Sequence, residues 1–289
     1  MKINAEWKDY EILATGDGEK LERWKAVTLL RPDPQVIWHA AAPLARVKKP
    51  DARYIRSSTG GGRWEFSRKL PESWNVSWRN LTFVVRPMNF KHTGLFPEQA
   101  ANWAMMIDVI KSANRPVSVL NLFGYTGGAT VACLSAGASV CHVDAAKNMV
   151  ETCKENVALS NLSDKPVRYI VDDCRKFVMR EIKRGRRYDA IILDPPSFGR
   201  GANGEEWKIE RDIFDFLQLC SRVLSDEPLF VLLNSYTTGL QPAVLSNLLT
   251  LTMPVGGDVS AYEVCLPTDE RDIVLPCGAS GLWLSLKHV

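Results

Sequence analysis

From residue 117 onward, short and continuously apolar runs alternate with longer stretches of helical spacing. The runs are "VSVLNLF" (117–123), "SVCHVD" (139–144), "VRYIVDD" (167–173), "YDAIILDPP" (188–196) and "LFVLLNS" (229–235). Amphipathic segments such as "KNMVETCKENVALS" and "IERDIFDFLQLCSRVL" separate them. A strand apolar along its whole length is buried on both faces, and helical returns keep successive strands parallel. Two further runs, "VSAYEVCLP" and "IVLPCGASGLWLSL", close the chain with no helix between them, so this last pair is expected to be antiparallel. The pattern predicts an α/β domain over residues 91–289, built on a doubly wound, seven-stranded, mostly parallel sheet. A helix is expected after "FPEQ", with Ala101, Met105 and Val109 at helical spacing and its end before Pro116.

Residues 1–90 have another rhythm. Short β-like runs ("YEILATGDGEK", "WKAVTLLRPDP", "QVIWHA", "WNVSW", "LTFVVRP") alternate with the turn signals "TGDG" and "STGGG". This predicts a small β-rich N-terminal domain. Between residues 46 and 91 stand eleven Lys or Arg against three acids, a net +8 within a chain whose total is +3. Basic side chains displace counterions from phosphates and aromatic faces stack on bases, which makes the stretch a candidate nucleic-acid surface. Arg53, Arg56, Arg63, Lys69 and Arg79 are the candidate phosphate contacts. Trp64, Trp74 and Trp78, interleaved with them, are expected to pack the β core.

No apolar run has the length of a membrane span, and "MKINAEWKDY" carries charges where a signal peptide needs an apolar centre. The seven cysteines (133, 141, 153, 174, 220, 265, 277) form no CxxC pair. Reduced thiols in a cytoplasmic protein are therefore expected, with no disulfide framework, no metal site and no membrane partner. Oligomeric state stays open.

In a doubly wound sheet, ligands bind beyond the carboxyl ends of the strands, where strand order reverses. Three features converge there. The first strand runs into "NLFGYTGG" (121–128), whose glycines have the spacing G-x-x-G-G and not the G-x-G-x-x-G of a dinucleotide dehydrogenase. The second ends in Asp144, a carboxylate suited to both hydroxyls of a ribose. The third ends in "DDC" (172–174), where an acid can take an adenine amino group. A side chain added at Gly127 is expected to intrude on the cofactor. The fourth strand ends in "LDPPSFGRG" (193–201). Proline fixes φ and has no N–H, so Pro195 and Pro196 stiffen a platform that carries Asp194 and an aromatic face, Phe198. Such a platform can grip a planar amine while its lone pair faces a methyl donor.

These residues carry a resemblance to the class I S-adenosylmethionine-dependent methyltransferases, and within them to the bacterial group related to ribosomal-RNA large-subunit methyltransferases. The similar segments are "GDGEKLERW", "KHTGLFPEQ" (91–99), "NLFGYTGGAT", "VDAAKNM" (143–149), "VDDCRKF", "LDPPSFGRG", "NSYTTGL" (234–240) and "LPCGASGLW". The resemblance implies a Rossmann-like methyltransferase domain with S-adenosyl-L-methionine as cofactor. It implies that Thr93, Gly94, Phe96 and Gln99 wall the cofactor site. Asn121, Phe123, Gly124, Tyr125, Thr126 and Gly127 hold the methionine part. Asp144, with Ala145 beside it, takes the ribose, and Asp173 and Cys174 the adenine. Asp194, Pro195, Pro196 and Phe198 form the catalytic face.

Relatives that methylate cytosine C5 use a cysteine just after the fourth or fifth strand, because that carbon needs covalent activation. Here those places read "DPPSF" and "NSYTTG". The expected substrate is therefore a ring or exocyclic nitrogen of RNA, ribosomal RNA first, with the N-terminal domain and the "REIKRGRR" loop (180–187) touching phosphates. The alternatives are a protein side-chain amide or small amine as methyl acceptor, and a non-enzymatic RNA- or ribosome-binding module. A dehydrogenase is last, on glycine spacing.

Overall fold

Five of the apolar runs fold as parallel strands in the computed structural model, which describes residues 1–57, 61–200, 206–270 and 272–286. In chain order the strands of this α/β unit are Ser118–Leu122, Ser139–Asp144, Val167–Val171, Ala190–Leu193, Phe230–Ser235, Gly257–Pro267 and Val274–Ser285. We refer to them as first to seventh. They stand in the order sixth, seventh, fifth, fourth, first, second, third. The chain moves outward from the first strand to the third, then returns to lay the fourth on the first strand's other side. The order therefore reverses between the first and fourth strands, as the alternation of runs predicts. The seventh strand runs antiparallel to the fifth.

Register sets the level of the carboxyl edge. Leu122 pairs with both Val143 and Leu193, and Val143 with Ile170, so the strand ends are aligned. One residue further on lie Phe123, Asp144, Asp194 and Val171. The sheet is dry beneath them: Leu120, Leu122, Val143, Ile191, Leu193, Val231 and Leu233 are all buried. Helices Gly128–Ser135, Lys147–Leu159, Cys174–Lys183, Ile209–Ser221 and Pro242–Thr252 return the chain between strands. The helix Ala100–Ser112 forms where expected but turns another face inward. Trp103, Met106, Ile107 and Ile110 are buried, while Ala101, Met105 and Val109 are only half-buried. Two apolar stripes compete on that helix, and the larger side chains take the core.

The two compact units do not follow the expected boundary at residue 90. Lys2–Ala100 group with Cys265–Cys277, and Ala101–Val264 with Gly278–Val289. The second segment joins the β-rich unit through hydrogen bonds: Asp269 N donates to Ile12 O at 2.9 Å, and Thr15 N donates to the Glu270 carboxylate at 2.9 Å. That unit holds a five-stranded sheet (Tyr10–Gly16, Glu19–Trp24, Val27–Pro32, Ala52–Arg56, Gly62–Phe66) and the hairpin Trp74–Trp78/Leu81–Val85. The "TGDG" turn is a two-residue hairpin with Asp17 at φ 51° and Gly18 at φ 79°, the twist that hairpins prefer. "QVIWHA" forms no strand. Residues 58–60 of the "STGGG" turn and Gly201 of "LDPPSFGRG" lie outside the described residues.

The tryptophans pack as expected. Trp78 is fully buried with its indole N–H on Asn4, and the Trp74 and Trp64 N–H groups donate to the Trp24 and Met88 carbonyls. At the centre lies an ionic cluster. Glu22, fully buried, accepts from Arg31 Nε at 2.6 Å, Arg31 Nη2 at 2.7 Å and Tyr10 OH at 2.7 Å. Burial alone would raise the Glu22 carboxyl. The Arg31 and Lys20 charges and these hydrogen bonds outweigh it and hold the pKa down to about 2. A depressed carboxylate contributes stability above its unfolded pKa of about 4.3 and loses it as pH falls through the folded value. Acid titration should therefore remove about 3 kcal/mol between roughly pH 4.5 and 2. Glu22→Gln should abolish that component and leave Arg31 uncompensated, at about 3–5 kcal/mol. Chemical denaturation of both proteins across this pH range checks it; parallel pH curves would remove Glu22 from the account.

Candidate active site

The loop after the first strand is the most constrained piece of backbone in the α/β unit. Phe123, Tyr125 and Gly127 all have left-handed φ, at 54°, 50° and 84°. Non-glycine residues there are strained, and such strain persists only where the surroundings fix it. The surroundings are on every side. A Cβ on Gly124 would lie 2.4 Å from the His142 ring, one on Gly127 2.2 Å from Cys153 Sγ, and one on Gly128 2.5 Å from Trp103. The glycines are thus bare because helix, strand and loop meet without room for a methyl. This corrects the expectation that a side chain at Gly127 enters the cofactor: it would strike Cys153 first.

Held this way, the loop points its amides at the second strand. Tyr125 N donates to Asp144 Oδ2 and Ala146 N to Asp144 Oδ1, both at 2.8 Å. Burial raises the Asp144 pKa, and the two amide bonds oppose it. Each carboxylate oxygen keeps a further lone pair, which is what a vicinal diol requires. Beneath, Asn121 Nδ2 donates to Thr130 Oγ1 at 2.9 Å, and that hydroxyl meets His142 Nδ1 at 2.9 Å. Burial lowers the His142 pKa to about 4, so the ring is neutral. Asn121 therefore faces this buried ladder and not the strand ends. Thr126 is also buried, its carbonyl accepting from Asn156 Nδ2 at 2.8 Å.

At the third strand, Asp173 caps the helix Cys174–Lys183 by accepting from Lys176 N at 2.8 Å on one oxygen, leaving the other for a ligand. The Cys174 thiol is turned inward, with Phe123 N donating to it at 3.3 Å, so only its backbone is placed to meet an adenine edge. Burial pushes this thiol's pKa up. Ala145 is exposed.

At the fourth strand, Asp194 N donates to Leu122 O at 3.4 Å, so the proline platform starts against the first strand. Pro195 is buried and Pro196 exposed. Phe198 begins a short antiparallel hairpin, Phe198–Arg200 with Glu206–Lys208, and is 48% exposed. The Arg200 guanidinium stands 5.8 Å from its ring centroid. Trp207 is a contact of the platform that the sequence alone does not announce. Its indole N–H donates to Pro196 O at 2.7 Å, and its ring packs on Phe123 and Phe216 at 5.5 and 5.8 Å. It ties the platform to the strained loop. Thr237 is the other: its hydroxyl meets the Ser197 hydroxyl at 2.6 Å. "NSYTTGL" carries a signal for Thr237. Trp207, beyond the glycine-rich stretch of the sequence, has none.

Thr93, Gly94, Phe96 and Gln99 belong to the β-rich unit. There Thr93 O accepts from Arg86 N at 3.0 Å, Gly94 has φ 91°, and Gln99 N donates to Phe96 O at 3.1 Å. Thr93 Oγ1 is buried and has no hydrogen-bond partner, so this hydroxyl suits a polar ligand atom.

The family profile of S-adenosylmethionine-dependent methyltransferases matches residues 30–224. The chain belongs to that family. A solved S-adenosylmethionine-dependent methyltransferase from Agrobacterium tumefaciens is 34% identical, with a TM-score of 0.92 over 98% of this chain and 92% of its own. The ribosomal RNA large subunit methyltransferase K/L of Syntrophotalea carbinolica is 28% identical over 183 residues, or 63% of this chain and 25% of the relative. Its counterpart from Alteromonas mediterranea is 28% identical over 204 residues, or 70% and 28%. The methyltransferase thus spans about a quarter of the length of these curated relatives. Among the described residues no helix is long and apolar enough to cross a membrane.

Two substitutions should separate packing from ligand contact in this methyltransferase. Gly127→Ala forces an L side chain into left-handed φ against Cys153 and should cost roughly 2 kcal/mol or more of stability. Asp144→Asn sets an NH2 group against one of the two backbone N–H donors and loses the charge, so it should weaken S-adenosylmethionine binding by about 1.5–3 kcal/mol, beside a loss of roughly 1–3 kcal/mol of stability. Calorimetry of binding and unfolding checks both. Unaltered affinity in Asp144→Asn would remove it from the binding site.

Proposed function

We propose that this methyltransferase transfers the methyl group of S-adenosylmethionine to a base nitrogen of RNA, ribosomal RNA first. The observation that carries the reading is Asp194–Pro195–Pro196 at the switch point, beside the Phe123–Gly127 loop and followed by an exposed Phe198. The curated relatives' names support an RNA substrate.

The cofactor supplies a methyl already activated on a sulfonium. The chain's residues then have alignment as their main task. Asp144 holds a ribose diol, the free oxygen of Asp173 and the Cys174 backbone meet the adenine, and the Phe123–Gly127 loop takes the methionine part. Thr93, Gly94, Phe96 and Gln99 are the further cofactor contacts that the resemblance implies. Asp194 and the Pro195 carbonyl accept from the target amine, which turns its lone pair toward the methyl. Phe198 stacks on the base. Alignment of this kind supplies much of a barrier reduction, and small displacements are costly. A cysteine nucleophile has no place in this scheme. All seven thiols are free, six of them are buried, and burial raises the pKa of Cys133 and Cys153 to about 12.

One observation favours a second reading, methyl transfer to a protein side-chain amide or small amine. Three of the five candidate phosphate contacts are already paired: Arg53 with Glu19 at 3.0 Å, Arg63 with Glu65 at 2.7 Å, and Arg79 with Glu6 at 2.9 Å. Glu6 and Glu19 lie outside the basic stretch, so a count along the sequence overstates its charge.

Labelled S-adenosylmethionine and ribosomal RNA from a strain lacking the gene decide between them: label in an N-methylated nucleoside is expected. Label in protein alone would favour the second reading. Asp194→Ala should lower kcat by on the order of 100-fold with cofactor affinity retained. Phe198→Ala should weaken RNA binding by about 1–3 kcal/mol. RNA carrying 5-fluorocytidine should form no covalent adduct; an adduct would restore cysteine chemistry.

A further inference from the structure

At the amino ends of the first three strands, opposite the ligand-binding edge, the α/β unit has a cleft of about 420 Å³. Its walls include Ser118, Ser139 and Cys141 from the sheet, Arg168 from the third strand, and Arg186 and Arg187. Arg168 and Arg186 lie beside a single carboxylate, while Arg187 Nη1 donates to Arg186 O at 3.2 Å. Glu181, fully buried, lies 2.5 Å from Tyr188 OH, 2.9 Å from Arg184 Nη1, 3.4 Å from Arg168 Nη1 and 3.9 Å from Arg186 Nε. Three guanidiniums therefore converge on one negative charge; of these Arg168 and Arg186 line the cleft, and Arg187 adds a third guanidinium to its wall. Asp189 accepts from the Ser118 amide at 2.8 Å but is itself paired with Arg115 at 3.0 Å.

The backbone fixes this arrangement. The helix Cys174–Lys183 ends with Gly185 at φ 65°. Gly185 N donates to Ile182 O and Arg186 N to Glu181 O, both at 3.1 Å, which closes the helix end in a tight left-handed cap. One carboxylate satisfies only a few of the donors presented. Each guanidinium carries five N–H groups in a fixed fork, and the Arg168, Arg184 and Arg186 side chains remain 39%, 52% and 52% exposed. Anchoring the helix end needs one such pair. Several pre-oriented forks at a cleft are the chemistry of phosphate recognition.

We propose that this cleft is a second, phosphate-binding site of the methyltransferase. The first strand's five residues put it about 17 Å from the carboxyl edge. An RNA strand of several nucleotides spans that distance. The ligand is either a phosphodiester of a polymer that also reaches the methyl-transfer edge or a separate phosphorylated small molecule. The chemistry of the cleft is the same in both cases and does not depend on RNA being the substrate.

The test compares the wild type with Arg186→Ala/Arg187→Ala, which leaves Arg168 and Arg184 on Glu181. Inorganic pyrophosphate and a single-stranded RNA of about 20 nucleotides are the two probes, each titrated at several salt concentrations. S-adenosylmethionine affinity should be the same in both proteins and reports an intact fold. The double variant should bind pyrophosphate at least tenfold more weakly. Its RNA binding should have a salt slope shallower by about 1.4, or 0.7 for each phosphate no longer neutralised. Weakening on the RNA arm alone identifies the polymer as the source, and weakening on the pyrophosphate arm alone the small molecule. Should the variant be destabilised, Arg186→Lys/Arg187→Lys keeps the charge and should still bind both probes more weakly than the wild type. Wild-type protein that binds neither probe, or variants with unaltered affinity for both, would overturn the site. Pyrophosphate binding abolished in the variant while no RNA is ever methylated would leave the cleft standing and the RNA reading fallen.

Discussion

The site of this methyltransferase depends on a place where one methyl group would not fit. Between the first strand and the helix Gly128–Ser135, the backbone is pressed against His142, Cys153 and Trp103, and at each contact glycine stands opposite. Three left-handed residues in five follow from that crowding, and they are what turns Tyr125 N toward Asp144. The ligand edge is therefore shaped from beneath. The buried ladder of Asn121, Thr130 and His142 stiffens the same wall, at the cost of a buried His142 Nε2 with no hydrogen-bond partner. That cost is consistent with neutral imidazole, since a charged ring there would add a desolvation penalty.

Trp207 extends the constraint to the fourth strand. Its ring lies on Phe123, inside the strained loop, while its N–H holds the Pro196 carbonyl. One rigid side chain thus links the Phe123–Gly127 loop to the platform that bears Asp194. Proline makes this link necessary: Pro195 and Pro196 donate no hydrogen bonds, so the segment must be fixed through its carbonyls and flanking residues. Ile209 N on Ser197 O and Thr237 on Ser197 Oγ do the rest.

The strands and their ends were legible because burial on both faces writes itself as an unbroken apolar run, and Asp144, Asp173 and Asp194 stand where those runs stop. What the sequence hid was set by partners distant along the chain. The inward face of Ala100–Ser112 was decided by what the sheet could accept, not by the helix's own periodicity. Cys265–Cys277 joins the β-rich unit through Ile12, Thr15 and Glu270, contacts that no local pattern announces. Asn121 and Cys174 sit within the motifs yet point inward, one on a strand and one at a helix start, because a motif does not record which face a residue takes. Trp207 was invisible because its partner, Pro196, is eleven residues away along the chain.

Charge shows the same limit most plainly. Counted along the chain, residues 46–91 are strongly basic; counted in space, Glu6 and Glu19 arrive from earlier segments and pair with Arg79 and Arg53. Arg79 also lies 4.5 Å from the Trp78 ring centroid, so part of its charge faces an aromatic surface. At the helix end 180–187 the opposite holds. The carboxylate is buried and single, and the guanidiniums around it outnumber it. A phosphate is attracted by the excess of cations within a Debye length, about 8 Å at physiological salt, and not by the excess within a window of sequence. At the helix end 180–187 the guanidiniums around Glu181 exceed it in number, although this is the shorter and less conspicuous stretch of the sequence.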